Sequence, residues 1–250
     1  CQCFLISEKT QGSCPLKPVL LLIPGMLNDA SIWQHVVTWL PRDWSIRIAN
    51  VLTQDSVTSM AHDAWKLLED VEENQALIIS GFSMGGYVAL EMLANPKRQV
   101  HAAALISTSV LPESNESRAN REKTITAMQA NFAMVVEGIL KFSTHEATDA
   151  ELDELRRMQL AIGCEAAVRQ IRAIMGRSDH REKLSDLNMP MALMCGEYDR
   201  VTPPELTRQT QMCFPKATTF WVPTGHMLPF QQPLPVAQCI TSLWESCQRL

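Results

Sequence analysis

Ile79-Ser80-Gly81-Phe82-Ser83-Met84-Gly85-Gly86 is the stretch on which the reading of this chain turns. It closes a fully apolar run of strand length, residues 76–80, and opens a helical pattern over residues 87–94. A strand that turns at once into a helix needs small residues where the two backbones cross. Gly81 and Gly85 stand two before and two after Ser83 and meet that need. A serine hydroxyl is a weak nucleophile unless it is exposed, aimed and paired with a base. The turn exposes and aims it, and the helix start adds unpaired N–H groups toward a developing anion. A glycine-rich turn into a helix can also cradle a nucleotide. Such sites use G-x-G-x-x-G or G-x-x-x-x-G-K-[ST], and this segment has neither.

Outward from the turn, strands and helices alternate. Residues 19–23 are a β-branched and leucine run closed by Pro24-Gly25, and residues 45–52 alternate as a strand. Residues 100–106, 191–195 and 218–222 are further strands. Helical spacing marks residues 31–40, with Ser31 as the cap, and residues 56–73, 203–212 and 235–249. This order predicts an α/β fold: a mostly parallel central sheet with helices on both faces. Between 112 and 187 no strand is predicted, only helical pattern over 121–141, 149–161 and 165–175. That is too long for a simple crossover. The chain therefore divides into a first core part, 1–111, a helical lid, 112–187, and a second core part, 188–250. The lid is expected over the strand ends, where such sheets bind ligands.

A base and an acid should follow the serine on later strand ends. The strand at 191–195 runs into Gly196-Glu197-Tyr198-Asp199-Arg200-Val201-Thr202-Pro203-Pro204, which puts Asp199 on a loop. The strand at 218–222 runs into Pro223-Thr224-Gly225-His226-Met227-Leu228-Pro229, which puts His226 in the matching place one strand on. Ser83, Asp199 and His226 are the expected nucleophile, orienting acid and base. Glu197 is a rival acid, closer to the strand end. A lone loop carboxylate is more often solvated and a lone histidine more often caps a turn. The order of the three on three strand ends is what favours chemistry.

Composition narrows the partners. At 250 residues and 46% hydrophobic, the chain can bury one large core. A net charge of −5 gives no basic footprint for nucleic acid. The longest apolar stretch, residues 19–27, is nine residues and contains Pro24 and Gly25, well short of the ~20 a bilayer span needs. The first seven residues lack the charged start and apolar run of a signal peptide, and a cytoplasmic location is the default expectation. Eight dispersed cysteines are expected to be reduced. Cys1-x-Cys3 has no matching pair or histidine cluster, so neither a metal nor a cofactor is expected.

These motifs resemble the α/β-hydrolase superfamily over essentially the whole chain from Pro18. Ile23-Pro24-Gly25-Met26, residues 81–86, 196–204 and 225–229 carry the likeness. It is nearest to small lidded serine esterases, carbon–carbon bond hydrolases and cofactor-free haloperoxidases. The resemblance implies an oxyanion hole made by the backbone N–H groups of Met26 and Met84. Pro24-Gly25 stands where many members have His-Gly, a change a backbone donor should survive. Met227 follows the histidine where carbon–carbon hydrolases often have tryptophan.

Candidate pocket residues are Met26, Leu27, Trp33, Phe82, Met84 and Leu111, and methionines suggest a tolerant fit. The lid arginines Arg169, Arg172, Arg177 and Arg181 could hold a substrate carboxylate, although solvated surface is the commoner role for such residues. The expected function is hydrolysis of a small, mostly apolar carboxylic ester through an acyl-serine intermediate. One alternative is carbon–carbon cleavage of a ketone-containing acid by the same residues. Another, of a different class, is a non-catalytic binding protein on this fold.

Overall fold

The computed structural model describes residues 17–249. Six strands form one sheet: β1 (Val19–Ile23), β2 (Ser45–Ile48), β3 (Leu77–Phe82), β4 (Ala102–Ile106), β5 (Met191–Gly196) and β6 (Thr218–Val222). Their order across the sheet is β2-β1-β3-β4-β5-β6 and every neighbouring pair is parallel. Between and after them run α1 (Gln34–Trp39), α2 (Val57–Lys66), α3 (Met84–Ala94), α4 (Asn115–Ala130), α5 (Phe132–Ser143) and α6 (Asp149–Met175). The chain closes with α7 (Pro204–Cys213), the short α8 (Leu228–Gln231) and α9 (Pro233–Cys247).

Strand side chains alternate between faces, and here both faces are covered, so β1 reads as an unbroken apolar run. Val19, Leu21 and Ile23 pack with Val57, Met60 and Ala64 of α2 and Val88 of α3. Leu20 and Leu22 pack on the other face with Ile32, Trp33 and Val36, and with Val236 and Ile240 of α9. Each such fully buried side chain contributes about 1.5–3 kcal/mol. A third apolar cluster joins Leu27 to Ile125 and Met128 of α4 and to Ala167, Val168 and Ile171 of α6. The helices between β4 and β5 are thereby tied to the loop after β1.

Several boundaries differ from expectation. The cap before α1 is Asp29, whose carboxylate accepts from the Ser31 N–H at 2.8 Å, and a 3-10 turn (Ala30–Trp33) precedes the helix. Ser31 is not the cap because its hydroxyl also donates to Asp29. β2 ends at Ile48 rather than at 52: Leu22 and Ile48 are the last register, and after one more bond, from the Ala49 N–H to Leu22 O at 2.9 Å, no further pairing with β1 follows. α2 ends at Lys66 and gives way to turns. The single helix expected over 121–141 is broken at Asn131, with φ −155 and ψ 87, whose side chain caps the Met134 N–H at 3.1 Å. The two helices expected over 149–161 and 165–175 are both present within α6: Gly163, at φ 85 and ψ 164, is non-helical and kinks the chain between them, a conformation natural to glycine.

No helix among the described residues is long and apolar enough to cross a membrane. Cys164, Cys195, Cys213, Cys239 and Cys247 are free. Cys1, Cys3 and Cys14, and with them the Cys1-x-Cys3 motif, lie outside the described residues.

Candidate active site

The C-terminal ends of β1, β3, β4, β5 and β6 all open on one edge of the parallel sheet, and the site is built there. Ser83 leaves β3 and caps α3 with φ 52 and ψ −115, a sparsely populated conformation for a residue with a Cβ. The surroundings hold it there. Its N–H donates to Ile106 O at 2.9 Å, and the Thr108 hydroxyl donates to its carbonyl at 2.8 Å. A Cβ on Gly81 would lie 2.3 Å from Gly85 O, and one on Gly85 would lie 2.2 Å from Ile23 O. The G-x-S-x-G spacing is thus a packing requirement of the strand–helix crossing.

Asp199 follows β5 and His226 follows β6, two and three strands across the sheet from β3 and Ser83. His226 Nε2 lies 2.9 Å from Ser83 Oγ, and His226 Nδ1 lies 2.8 Å from Asp199 Oδ2. With the proton on Nδ1, the ring donates to Asp199 and accepts the Ser83 hydroxyl, so one tautomer satisfies both contacts. The loops that deliver these residues touch each other: a Cβ on Gly196 would meet Gly225 O at 2.1 Å. The His226 N–H donates to Ser143 O at 2.8 Å, which anchors the loop to the end of α5.

Asp199 is 3% exposed and His226 5% exposed. Asp199 Oδ1 accepts from the N–H groups of Val201 and Thr202, both at 2.8 Å, and Oδ2 also accepts the Thr202 hydroxyl at 2.9 Å. Burial pushes the Asp199 carboxyl up, but the His226 charge and hydrogen bond, with the Thr202 donors, outweigh it and hold the group below its ordinary value. The rival Glu197 is exposed on the outer side of the same loop.

Among the described residues, the N–H groups of Met26 and Met84 have no protein acceptor, whereas that of Leu27 does. Leu27 has φ 57, and its N–H donates to Gln170 Oε1 at 2.9 Å. Gln170 is fully buried on α6 and also donates to Val51 O at 3.0 Å. Helix α6 therefore grips the loop that follows β1.

A cavity of about 350 Å³ opens on Ser83, and Met26 and Leu111 line it. Leu27, Trp33, Phe82 and Met84 do not, a correction to the pocket expected from sequence. All four are fully buried. Leu27 is turned by its positive φ into the cluster under α4 and α6, and Trp33 lies in the core on the α9 face. Phe82 packs against the His226 ring, with centroids 5.2 Å apart. Of the four arginines singled out in sequence, only Arg177 lines the cavity. Arg169 pairs with Glu165 and reaches Leu52 O, Arg181 pairs with Asp179, and Arg172 is exposed. Sequence reasoning passed over Thr202, Gln170 and Arg121. The Asp-x-x-Thr spacing of Asp199 and Thr202 is a turn signal that was available; the other two contacts span too much chain to leave one.

The family described as serine aminopeptidase, S33, matches residues 50–221, which include Ser83 and Asp199 and stop just short of His226. Comparison with curated proteins gives no match. Among solved structures, the chain is similar to a thermophilic esterase from Thermogutta terrifontis with malate bound, at 21% identity and TM-score 0.81, covering 93% of this chain and 91% of that one. It is similar to an enol-lactonase from Burkholderia xenovorans LB400, at 16% identity and TM-score 0.81, covering 92% of each chain. A bromoperoxidase from Bacillus anthracis matches at 15% identity and TM-score 0.80, again over 92% of each chain. At such identities the likeness is one of fold.

Proposed function

The chain belongs to the serine aminopeptidase S33 family of α/β-hydrolases, and from that premise we propose that it hydrolyses a small carboxylic ester at Ser83 through an acyl-serine intermediate. The observation that carries this reading is the unbroken hydrogen-bond series from Ser83 Oγ through His226 to Asp199. His226 Nε2 takes the serine proton as Oγ attacks the ester carbonyl, and then returns it to the departing alcohol. Asp199 keeps the ring in the tautomer that accepts at Nε2 and stabilises the imidazolium that forms. The N–H groups of Met26 and Met84 receive the oxyanion. Water, deprotonated by the same imidazole, then releases the acid. Helices α4–α6 act as the cover of the site, since Arg121 of α4, Ile174 of α6 and Arg177 just beyond it line the cavity with Ser83.

The family's name raises a second chemistry, cleavage of an amino-terminal peptide bond. An aminopeptidase seats a protonated α-amine beside its nucleophile. The charged residues lining the Ser83 cavity are Arg121 and Arg177, which repel such a group. Ester substrates without a free amine suit the site better. Assay of p-nitrophenyl butyrate beside leucine p-nitroanilide tests this. Turnover of the ester with little or none of the anilide is expected, and faster release from the anilide would reverse the assignment.

A further inference from the structure

Arg121 and Arg177 do more than repel an amine. The two guanidinium groups and the carboxylate of Glu113 form one cluster. Arg121 Nε donates to Glu113 Oε1 at 2.9 Å, and Arg177 Nη1 pairs with Glu113 Oε2. The Glu113 side chain is 2% exposed and the residue does not line the cavity, so its carboxylate lies behind the arginines. Burial pushes its carboxyl up, but the Ser117 hydroxyl and both arginines outweigh this and keep it ionised. Two cations about one carboxylate leave a surplus positive charge, and that charge belongs to the cavity wall.

The arginines have different standing. Arg177 is fixed: Nε donates to Leu111 O at 3.2 Å, Nη1 to Ile174 O at 2.9 Å, and the guanidinium lies 4.4 Å from the Tyr87 ring centroid. One arginine would suffice to neutralise Glu113. Arg121 is the surplus one. Its two Nη groups have no protein acceptor among the described residues, and its side chain is 27% exposed. A guanidinium held at Nε alone, on a residue that lines the cavity, keeps its Nη donors for a second planar carboxylate.

We propose that the ester this enzyme hydrolyses carries a carboxylate, which binds Arg121 while Arg177 offsets the charge of Glu113. This rests on the hydrolase reading of Ser83. A cavity of about 350 Å³ restricts the substrate to a small molecule. The Ser114 and Ser117 side chains line the same wall, which suits an anionic, partly polar substrate better than a long acyl chain.

The test takes the ratio of kcat/KM for an anionic ester to that for its neutral counterpart. Two pairs serve: mono-p-nitrophenyl glutarate against p-nitrophenyl butyrate, with the charge on the acyl side, and 4-acetoxybenzoate against p-nitrophenyl acetate, with the charge on the leaving group. In at least one pair, Arg121→Gln should lower the ratio about 10- to 100-fold, the factor one charge-assisted hydrogen bond supplies. Arg121→Lys should keep part of the ratio. Arg172→Gln, at an exposed arginine outside the cavity, should leave it at the wild-type value. Calorimetric titration of the Ser83→Ala protein with monomethyl glutarate and with 4-acetoxybenzoate reads binding without turnover; at least one should bind, and adding Arg121→Gln should abolish its binding. If these ligands bind through Arg121 while no ester is cleaved, the hydrolase reading fails and the carboxylate site stands. If esters are cleaved at Ser83 and both ratios survive Arg121→Gln unchanged, the carboxylate site is overturned.

Discussion

Replacing Gly196 by alanine should disable the site while leaving the fold standing. Gly196 ends β5, and a Cβ there would lie 2.1 Å from Gly225 O and 2.5 Å from Thr224 O. Real Cβ contacts essentially never fall under 3.0 Å, so the loop carrying His226 must retreat by at least about 0.9 Å. A movement of that size opens the 2.9 Å contact of His226 with Ser83 to roughly 3.8 Å, beyond hydrogen-bond reach. Misplacing a catalytic group by about 1 Å can cost about 10² in rate. Overpacking of this kind costs about 1–3 kcal/mol, less than the 5–15 kcal/mol that holds an ordinary domain together. Saturating p-nitrophenyl butyrate and urea unfolding should therefore report about a hundredfold lower kcat in a protein that still unfolds cooperatively. Gly138→Ala is the control, because a Cβ at this helical position meets nothing within 4 Å. It should keep wild-type activity and gain up to about 1 kcal/mol from helix propensity. A Gly196→Ala enzyme within threefold of wild type would refute the reasoning that the contact between these two loops sets the histidine.

Asp199→Asn should lose up to about 10⁴ in kcat, because the amide favours the wrong histidine tautomer. Glu197→Gln, on the exposed side of the loop, should stay within about tenfold, and a reversed order under saturating ester would make Glu197 the acid. Gln170→Leu leaves the buried Leu27 N–H and Val51 carbonyl without partners, so urea unfolding should show a loss of about 2–5 kcal/mol; kcat should fall more than KM rises, because the strained loop also carries Met26. An unchanged unfolding midpoint would show that Gln170 grips nothing. The folded-state pKa of Asp199 lies below its ordinary 3.8, so the unfolded chain binds the proton more readily. The stability this group contributes is then present above about pH 4 and lost as pH falls through the lowered value. Unfolding free energies of wild type and Asp199→Asn should approach each other as pH falls below about 4; a gap that widened on acidification would contradict the sign.

Local spacing made the fold readable. Val19–Ile23 is a strand at the limits its apolar run suggests, because burial on both faces fixes where such a run can begin and end; Thr218–Val222 also keeps its expected limits, although it is a half-exposed edge strand. Ser83, Asp199 and His226 are brought within hydrogen-bond reach of one another, as three strand ends on one edge of a parallel sheet require. Periodicity failed where a side chain decided the boundary: Asp29 capped ahead of Ser31, and Asn131 broke a helix that hydrophobic spacing carried through. The pocket was least legible. Leu27 and Phe82 stand beside the turn residues in sequence, yet packing turns both away from the cavity. Arg121 enters it from a helix 38 residues beyond Ser83, and no local pattern marks which face of that helix looks inward.

The central claim is that Ser83 is the nucleophile, and a fluorophosphonate reagent tests it most directly. The reagent's phosphorus should bond covalently to Ser83 Oγ with loss of fluoride, and peptide mass spectrometry should find the added mass on the peptide that contains Ser83. Ser83→Ala should remain folded, take no label and lose roughly 10⁶ in kcat, as loss of such a nucleophile does. Labelling at another residue, or wild-type ester turnover in purified Ser83→Ala, would contradict the account.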